Sequence, residues 1–207
     1  MDLAPPLKPP GYFKFVRTVP DGGKVVYLPN LVTVIRILLV PVTVWLIISE
    51  AHSWAFVVFL AAGISDAVDG FLARHFHWKT ELGAYLDPLA DKMLLVGIYI
   101  TLGLLGHMSA ALVIAVVTRD VLIVGAVILS WMLDRAVEMR PSKISKANTV
   151  GQIALAGLVL AQLGFAPSLE VIVTPVTWIV GILTVVSAGV YLARWMRHMA
   201  YYESPQD

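Results

Sequence analysis

The chain is 207 residues long, with 58% hydrophobic and only 14% charged residues; soluble domains carry about a quarter charged residues, so an ordinary water-soluble domain is excluded. A net charge of +1 gives no bulk basicity, and therefore no case for nucleic acid as a partner. Cysteine is absent, which excludes disulfides and thiolate metal sites and leaves the redox compartment unread.

In chain order, residues 1–10 are proline-rich, and GYFKFVRTV at 11–19 interleaves Tyr12, Phe13 and Phe15 with Lys14 and Arg17. That composition suits either a floppy tail or a short interfacial segment, aromatic side in lipid and basic groups toward anionic headgroups. The first 27 residues hold prolines and scattered charges where the apolar region of a cleavable signal peptide would lie. After Pro29 and Asn30, six apolar stretches recur at roughly 31–49, 54–74, 84–106, 109–133, 147–164 and 169–195, each near or above the spanning length of ~18 residues. SEAHS, GHMS, RPSK and GFAPS supply breakers between them. The expected fold is all-α: one polytopic membrane bundle of six transmembrane helices over 29–198. A tail and juxtamembrane segment at 1–28 precedes it, and a tail at 199–207 follows.

Basic residues set the orientation. All but three of the 15 Lys and Arg residues fall before the first span, between spans two and three, between spans four and five, or after the last span. The opposite loops, around 50–53, 107–108 and 165–168, hold none. Both termini are therefore expected in the cytoplasm, together with the junction between spans two and three. Arg36, Lys92 and Arg119 are the three basic residues inside spans.

That junction, SDAVDGFLARHFHWKTELGAYLDPLADK at 65–92, carries Asp66, Asp69, Asp87 and Asp91. Asp66 and Asp69 share a helix face, as do Gly83, Asp87 and Asp91 at spacings of four. A short turn from His75 to Leu82 predicts antiparallel neighbours, with all four carboxylates at one level. Pro88 is expected in the first turn of its helix, where a missing N–H costs little. One aspartate in a span can be a helix-pairing polar residue, but four are different. At about 2.5–3.5 kcal/mol each at a span centre, they would cost on the order of 10 kcal/mol, less near the interface. They would also repel one another. Arg74 and Lys92 alone leave the cluster net negative. An all-oxygen ligand set points to Mg²⁺ or Mn²⁺, and four carboxylates can hold two ions. Small residues at Gly70, Ala73 and Gly83 leave room for a ligand, or for close helix packing. His75 and His77 read as solvent-facing turn residues, with a metal role the alternative.

The filled pattern is D-x2-D-G-x2-A-R-x8-G-x3-D-x3-D, from Asp66 to Asp91. It resembles the signature of the CDP-alcohol phosphotransferase family at every position, and the six-span plan extends the resemblance over nearly the whole chain. The resemblance implies transfer of a phosphatidyl group from a CDP-linked lipid, CDP-diacylglycerol, to an alcohol with release of CMP. It implies that Asp66, Asp69, Asp87 and Asp91 ligate metal and that Asp91 is the general base on the acceptor hydroxyl. Gly70, Ala73, Arg74 and Gly83 would line the cytidine-diphosphate pocket. A homodimer is implied as well.

PNLVTVIRILLVP, LGAYLDPLADK, TRDVLIVGAV and ISKANTVGQ are most similar to enzymes of anionic phospholipid synthesis. The RDV and ISK-x-NT segments resemble CMP-forming cardiolipin synthases, whose acceptor is phosphatidylglycerol. Phosphatidylglycerophosphate synthases, using glycerol 3-phosphate, are the alternative; they typically carry Glu where this chain has Asp120. Either acceptor is an anionic glycerol derivative, and Arg119, Lys143, Lys146 and Arg36 are the candidates to bind it. Each has a second reading: Arg119 as a structural ion pair with Asp120, Lys143 and Lys146 as positive-inside residues, and Arg36 as a side chain snorkelling to headgroups or reaching the diphosphate. A divalent-cation transporter would need ionisable residues across the whole bilayer, and YITLGLLG and AFVVFLA offer none. A membrane scaffold would not need eight residues at fixed gaps.

Overall fold

The computed structural model describes residues 27–75, 81–132 and 142–203. The side chains of 27–33, 67, 69–75, 81–91, 127–132 and 198–203 also lie outside what is described. The expected interfacial segment, the turn with His77, residues 1–26 of the N-terminal segment and residues 204–207 of the C-terminal tail thus fall outside the described residues.

Six α-helices and no strand occur among the described residues: α1 (Tyr27–Ile48), α2 (His52–His75), α3 (Glu81–Leu104), α4 (Ala110–Met132), α5 (Lys143–Gly164) and α6 (Glu170–Glu203), with a 3-10 turn at Pro167–Leu169. Each expected span has its helix. Two stretches, Lys143–Gly164 and Pro167–Arg197, are long and apolar enough to cross a membrane. Val34–Ile48, His52–Asp66 and Lys92–Leu104 are shorter apolar stretches among the described residues.

Three boundaries differ from expectation for local reasons. RPSK reads as a turn, yet α5 already begins at Lys143, because Ser142 is its N-cap: the Ser142 hydroxyl accepts from the Ser145 N–H at 3.1 Å. Lys143 and Lys146 thus stand in the first turn of a helix rather than in a loop. Helix α6 runs on to Glu203, through YLARWMRHMA, whose residues favour helix with no breaker among them. Pro88 is not in the first turn, since α3 starts seven residues earlier at Glu81. An interior proline withholds the helical hydrogen bond from the carbonyl of Ala84.

The helices close into a ring in the order α1, α2, α5, α6, α4, α3 and back to α1, and α3 also touches α5 across the middle. Two compartments result, one walled by α1, α2, α5 and α3, the other by α3, α5, α6 and α4. Among the described residues α2 and α3 make no direct contact; α1 packs against both. The expected direct neighbourhood of α2 and α3 is therefore replaced, over the described length, by an intervening α1.

Polarity is inverted relative to a water-soluble bundle. Trp45, Trp54, Leu104, Val171 and Trp178 are exposed, whereas Arg36, Arg119, Asp120, Asn148, Gln152, Thr184 and Ser187 are buried. A continuous apolar exterior calls for an apolar solvent. The interior is held by Ile47, Ala55, Ile98, Leu102, Val116, Leu155, Leu160 and Val180. A polar seam joins α5 to α6 inside it: the Thr184 hydroxyl donates to Asn148 Oδ1 at 2.9 Å and accepts from Gln152 Nε2 at 3.3 Å. Tyr99 of α3 donates its hydroxyl to the Gln152 carbonyl at 3.0 Å.

At the end remote from Asp66, the rings of His52 and His107 meet edge to face at 5.4 Å, tying the α1–α2 turn to the α3–α4 turn. Gly106, in the latter turn, has φ +80°, a conformation that favours glycine. Ser53 donates to the Gly164 carbonyl at 2.7 Å, and the two backbones lie so close that a Cβ at 164 would stand 2.8 Å from Ser53 Cα. Backbone cannot yield as a side-chain tip can. Gly164→Ala is expected to cost about 1–3 kcal/mol, the range for overpacking, read as a lowered unfolding midpoint in detergent; an unchanged midpoint would contradict this close approach.

Candidate active site

Arg36 and Arg119 are nearly completely buried, and a buried charge must be matched by a partner. Arg36 of α1 is 4% exposed and donates from Nη2 to Asp66 Oδ1 of α2 at 2.7 Å. This burial overturns the snorkelling alternative: the guanidinium is turned inward to a carboxylate, not outward to headgroups. The Asp66 side chain remains 44% exposed. A carboxylate offers about four lone-pair sites, so the ion pair leaves it acceptor capacity for a cation, and an oxygen donor of this kind fits a hard divalent ion.

Asp69, Gly70, Ala73 and Arg74 belong to the last two turns of α2, and Gly83, Asp87 and Asp91 to the first three turns of α3. Their side chains lie outside the described residues, so the convergence of the four carboxylates and the lining of the nucleotide pocket do too. Among the described residues alone, no group of three metal-ligating side chains forms. Backbone alone puts both halves of the motif at the same end of the bundle, because α2 runs toward that end and α3 away from it.

The second compartment holds an ion triad. Lys92 of α3 donates to both oxygens of Asp120 of α4, at 2.8 and 2.9 Å. Arg119 Nη1 donates to Asp120 Oδ1 at 2.6 Å. The Arg119 guanidinium, 2% exposed, also donates from Nη2 to the hydroxyls of Ser145 of α5 and, at 3.5 Å, Ser187 of α6. Four helices thus meet at one buried group. Arg119 Nε is buried without a hydrogen-bond partner, an unsatisfied donor in a low-dielectric setting.

The triad borders a cleft of about 570 Å³ lined by Lys92 and Val96 of α3, by Val117, Arg119, Asp120, Val121, Ile123, Val124 and Gly125 of α4, and by Ser145 and Thr149 of α5. Two cations, with Asp120, Ser145 and Thr149, on a mostly apolar lining suit a small anionic group carried by an apolar molecule. Arg119 is in an ion pair with Asp120, as one of its two readings has it, and it also lines the cleft. Lys143 and Lys146 are solvent-exposed and do not line it, and Arg36 stands in the other compartment. Lys92, Ser145 and Ser187 were not legible as site residues. Lys92 looked like a counter-ion for the neighbouring aspartates, and its bond to Asp120, 28 positions away, exists only in the packed bundle.

Removing Arg119 would leave Asp120, itself 8% exposed, with one cation fewer. Arg119→Met is expected to cost about 3–5 kcal/mol, the range for breaking a buried pair, read as thermal unfolding in detergent. Arg119→Lys should restore only part of this, because one ammonium cannot span Asp120, Ser145 and Ser187 together. Full restoration by lysine would contradict the fork geometry.

Residues 26–197 match the family model described as CDP-alcohol phosphatidyltransferase. A Schizosaccharomyces pombe protein named cardiolipin synthase (CMP-forming) / mitochondrial hydrolase fusion protein is 35% identical over 181 residues, which cover 79% of this chain and 30% of that protein. The CDP-diacylglycerol–glycerol-3-phosphate 3-phosphatidyltransferase 1, chloroplastic, of Oryza sativa subsp. japonica is 35% identical over 182 residues, 79% of this chain and 55% of that one. A Mycobacterium tuberculosis protein named "Probable phosphatidylglycerophosphate synthase" is 30% identical over 198 residues, 90% of this chain and 92% of that one. The chain thus spans about a third of the first of these relatives, about half of the second and nearly all of the third. With its motif on α2 and α3 and a family match running from α1 to near the end of α6, the chain belongs to the CDP-alcohol phosphatidyltransferase family.

Proposed function

We propose that the chain is an integral-membrane phosphatidyltransferase that takes CDP-diacylglycerol, releases CMP and makes anionic phospholipid, with phosphatidylglycerol as acceptor and cardiolipin as product. The observation that carries this reading is the basic cleft opening beside the motif: Lys92, which lines it, directly follows Asp91 on α3. Consecutive helical positions differ by about 100°, so one helix can serve both the carboxylate motif and the acceptor cleft.

The bilayer reading extends to all six helices. Apolar exteriors on every helix and buried polar residues inside support it. The twelve basic residues outside the spans support a cytoplasmic motif end with both termini on that side. An amphiphilic substrate fits such a site, with acyl chains in lipid and the nucleotide entering from the cytoplasm. The homodimer implied by the resemblance is part of the same proposal.

In the reaction, the acceptor hydroxyl oxygen bonds to the phosphorus that carries diacylglycerol, and the bond from that phosphorus to the CMP oxygen breaks. Asp91 takes the hydroxyl proton, since an alcohol is a poor nucleophile at neutral pH. Asp66, Asp69, Asp87 and Asp91 would hold Mg²⁺ or Mn²⁺, two ions where all four contribute, and these would supply charge neutralisation of the pyrophosphate. Gly70, Ala73 and Gly83 would leave the nucleotide room, Arg74 would meet its phosphates, and Arg119 would receive the acceptor's phosphate. Arg36, by holding Asp66, orients one ligand rather than binding acceptor. Lys143 and Lys146 stand at the exposed first turn of α5, where they raise local anion concentration. A specific observation also keeps glycerol 3-phosphate in play: the Oryza and Mycobacterium relatives carry names for that chemistry.

Purified protein with Mg²⁺ or Mn²⁺ is expected to release CMP from CDP-diacylglycerol only when an acceptor is added, and chelation should stop it. Asp91→Asn should lower turnover by about 10²–10⁴-fold, the usual contribution of a general base, while nucleotide binding persists. Near-normal turnover in Asp91→Asn would remove the base assignment.

A further inference from the structure

At the end of the bundle remote from Asp66, a second cleft of about 680 Å³ opens between α4 and α6, with no lining residue in common with the Arg119 cleft. Its polar lining gathers at one end: His107 and Ser109 of the α3–α4 turn, Gln162 near the close of α5, and Glu170 and Thr174 in the first two turns of α6. From there the cleft runs along α6 past Val173, Ile182, Val185 and Val186. Thr177, on this stretch, donates its hydroxyl to the Val173 carbonyl of its own helix at 2.8 Å. The run from Thr174 to Val186 covers roughly 18 Å at the helical rise, a little more than half of the ~30 Å hydrocarbon core. A polar head and an apolar run of one leaflet's depth fit a single lipid.

Charge decides which lipid. Glu170 is exposed, and among the described residues no ion pair includes it. The loops at this end, around 50–53, 107–108 and 165–168, hold no Lys or Arg that could neutralise it. Glu170 and the Gln162 side-chain oxygen offer acceptors for a cation with N–H groups, and two further residues offer donors for an anion. The Ser109 oxygen accepts the Leu112 N–H at 3.3 Å, which leaves its own O–H to donate. His107, whose ring meets His52 edge to face, has a ring N–H to give. A net-anionic head would set its charge against Glu170, and a quaternary ammonium has no N–H for the two acceptors.

We propose that the α4–α6 cleft binds one zwitterionic phospholipid with a primary ammonium head, from the leaflet opposite the motif. Glu170 and Gln162 take the ammonium, His107 and Ser109 take phosphate oxygens, and the apolar run to Val186 takes one acyl chain. The inference rests on the bilayer reading of the six helices. It does not rest on the phosphatidyl transfer, whose motif lies at the other end.

The test uses the full chain, without substrate, in nanodiscs of choline phospholipid into which lipids with brominated acyl chains are titrated. Trp178 lines the cleft, and its fluorescence is quenched by a bromine lying beside it. Because the chain has 6 Trp, the signal read is the quenching lost in Trp178→Phe. Brominated ethanolamine phospholipid is expected to half-quench Trp178 at about a threefold lower mole fraction than brominated choline phospholipid or phosphatidylglycerol, the ratio that one solvent-accessible charge pair gives. Glu170→Gln should bring the three lipids level. Ala111→Phe, which enlarges a small residue of the lining, should weaken quenching by all of them. Should Ala111→Phe fail to fold, the lipid series and Glu170→Gln still decide. Equal quenching by the three lipids in the unaltered protein, a preference kept by Glu170→Gln, or a cleft closed to every lipid in a particle holding two copies would overturn the site and leave the phosphatidyl transfer standing. An absence of CMP release in the unaltered protein would overturn the transfer and not this site.

Discussion

A guanidinium removed from water must meet its counter-charge and hydrogen-bond acceptors inside the protein, and Arg119 does so with groups from three helices. Asp120 beside it on α4, Ser145 on α5 and Ser187 on α6 surround it, and Lys92 of α3 completes the cluster through Asp120. Arg36 and Asp66 do the same between α1 and α2. Arg36, Lys92 and Arg119, the three basic residues expected inside spans, are thus each paired with an aspartate. Among the described residues the other buried polar side chains are Thr43 and Thr101, which donate to carbonyls of their own helices, and the Asn148–Thr184–Gln152 seam, which links α5 to α6 deeper in.

That constraint explains why the ring has two compartments and what each can do. Contact between α3 and α5 separates the α1–α2 side, where Asp66 stands, from the α4–α6 side, where the cationic cleft opens. Helix α3 borders both and carries Asp91 and Lys92 in succession. Under the proposed function, a nucleotide-linked lipid and an anionic acceptor would approach one helix from two sides, as in-line transfer asks. In sequence the four motif aspartates outnumber Arg74 and Lys92, and Asp120 draws on Lys92 as well; the proposed divalent ions would supply the balance.

Much of this was legible in the chain because bilayer physics writes in long strokes. Each apolar stretch became a helix, with boundaries near those expected, since a span needs length and hydrophobicity more than any single residue. The motif at 66–91 was legible for the opposite reason, as charged residues in apolar surroundings have few uses. What stayed hidden depends on long-range packing. Lys92 meeting Asp120, Arg36 meeting Asp66, and α1 lying between α2 and α3 over the described length are facts of helix order that no local pattern encodes. Ser142 as a helix cap was readable in principle, from a serine directly before a helical run, but the proline before it argued for a turn.

The central claim is that the aspartates of α2 and α3 gather around divalent ions. Manganese anomalous scattering from crystals of the full chain, grown with Mn²⁺ and a CDP-linked lipid, tests it most directly. The account predicts peaks within coordination distance of Asp66, Asp69, Asp87 and Asp91, with the diphosphate oxygens on the same ions. Carboxylates too far apart to share a cation, in crystals whose manganese lies elsewhere, would contradict it.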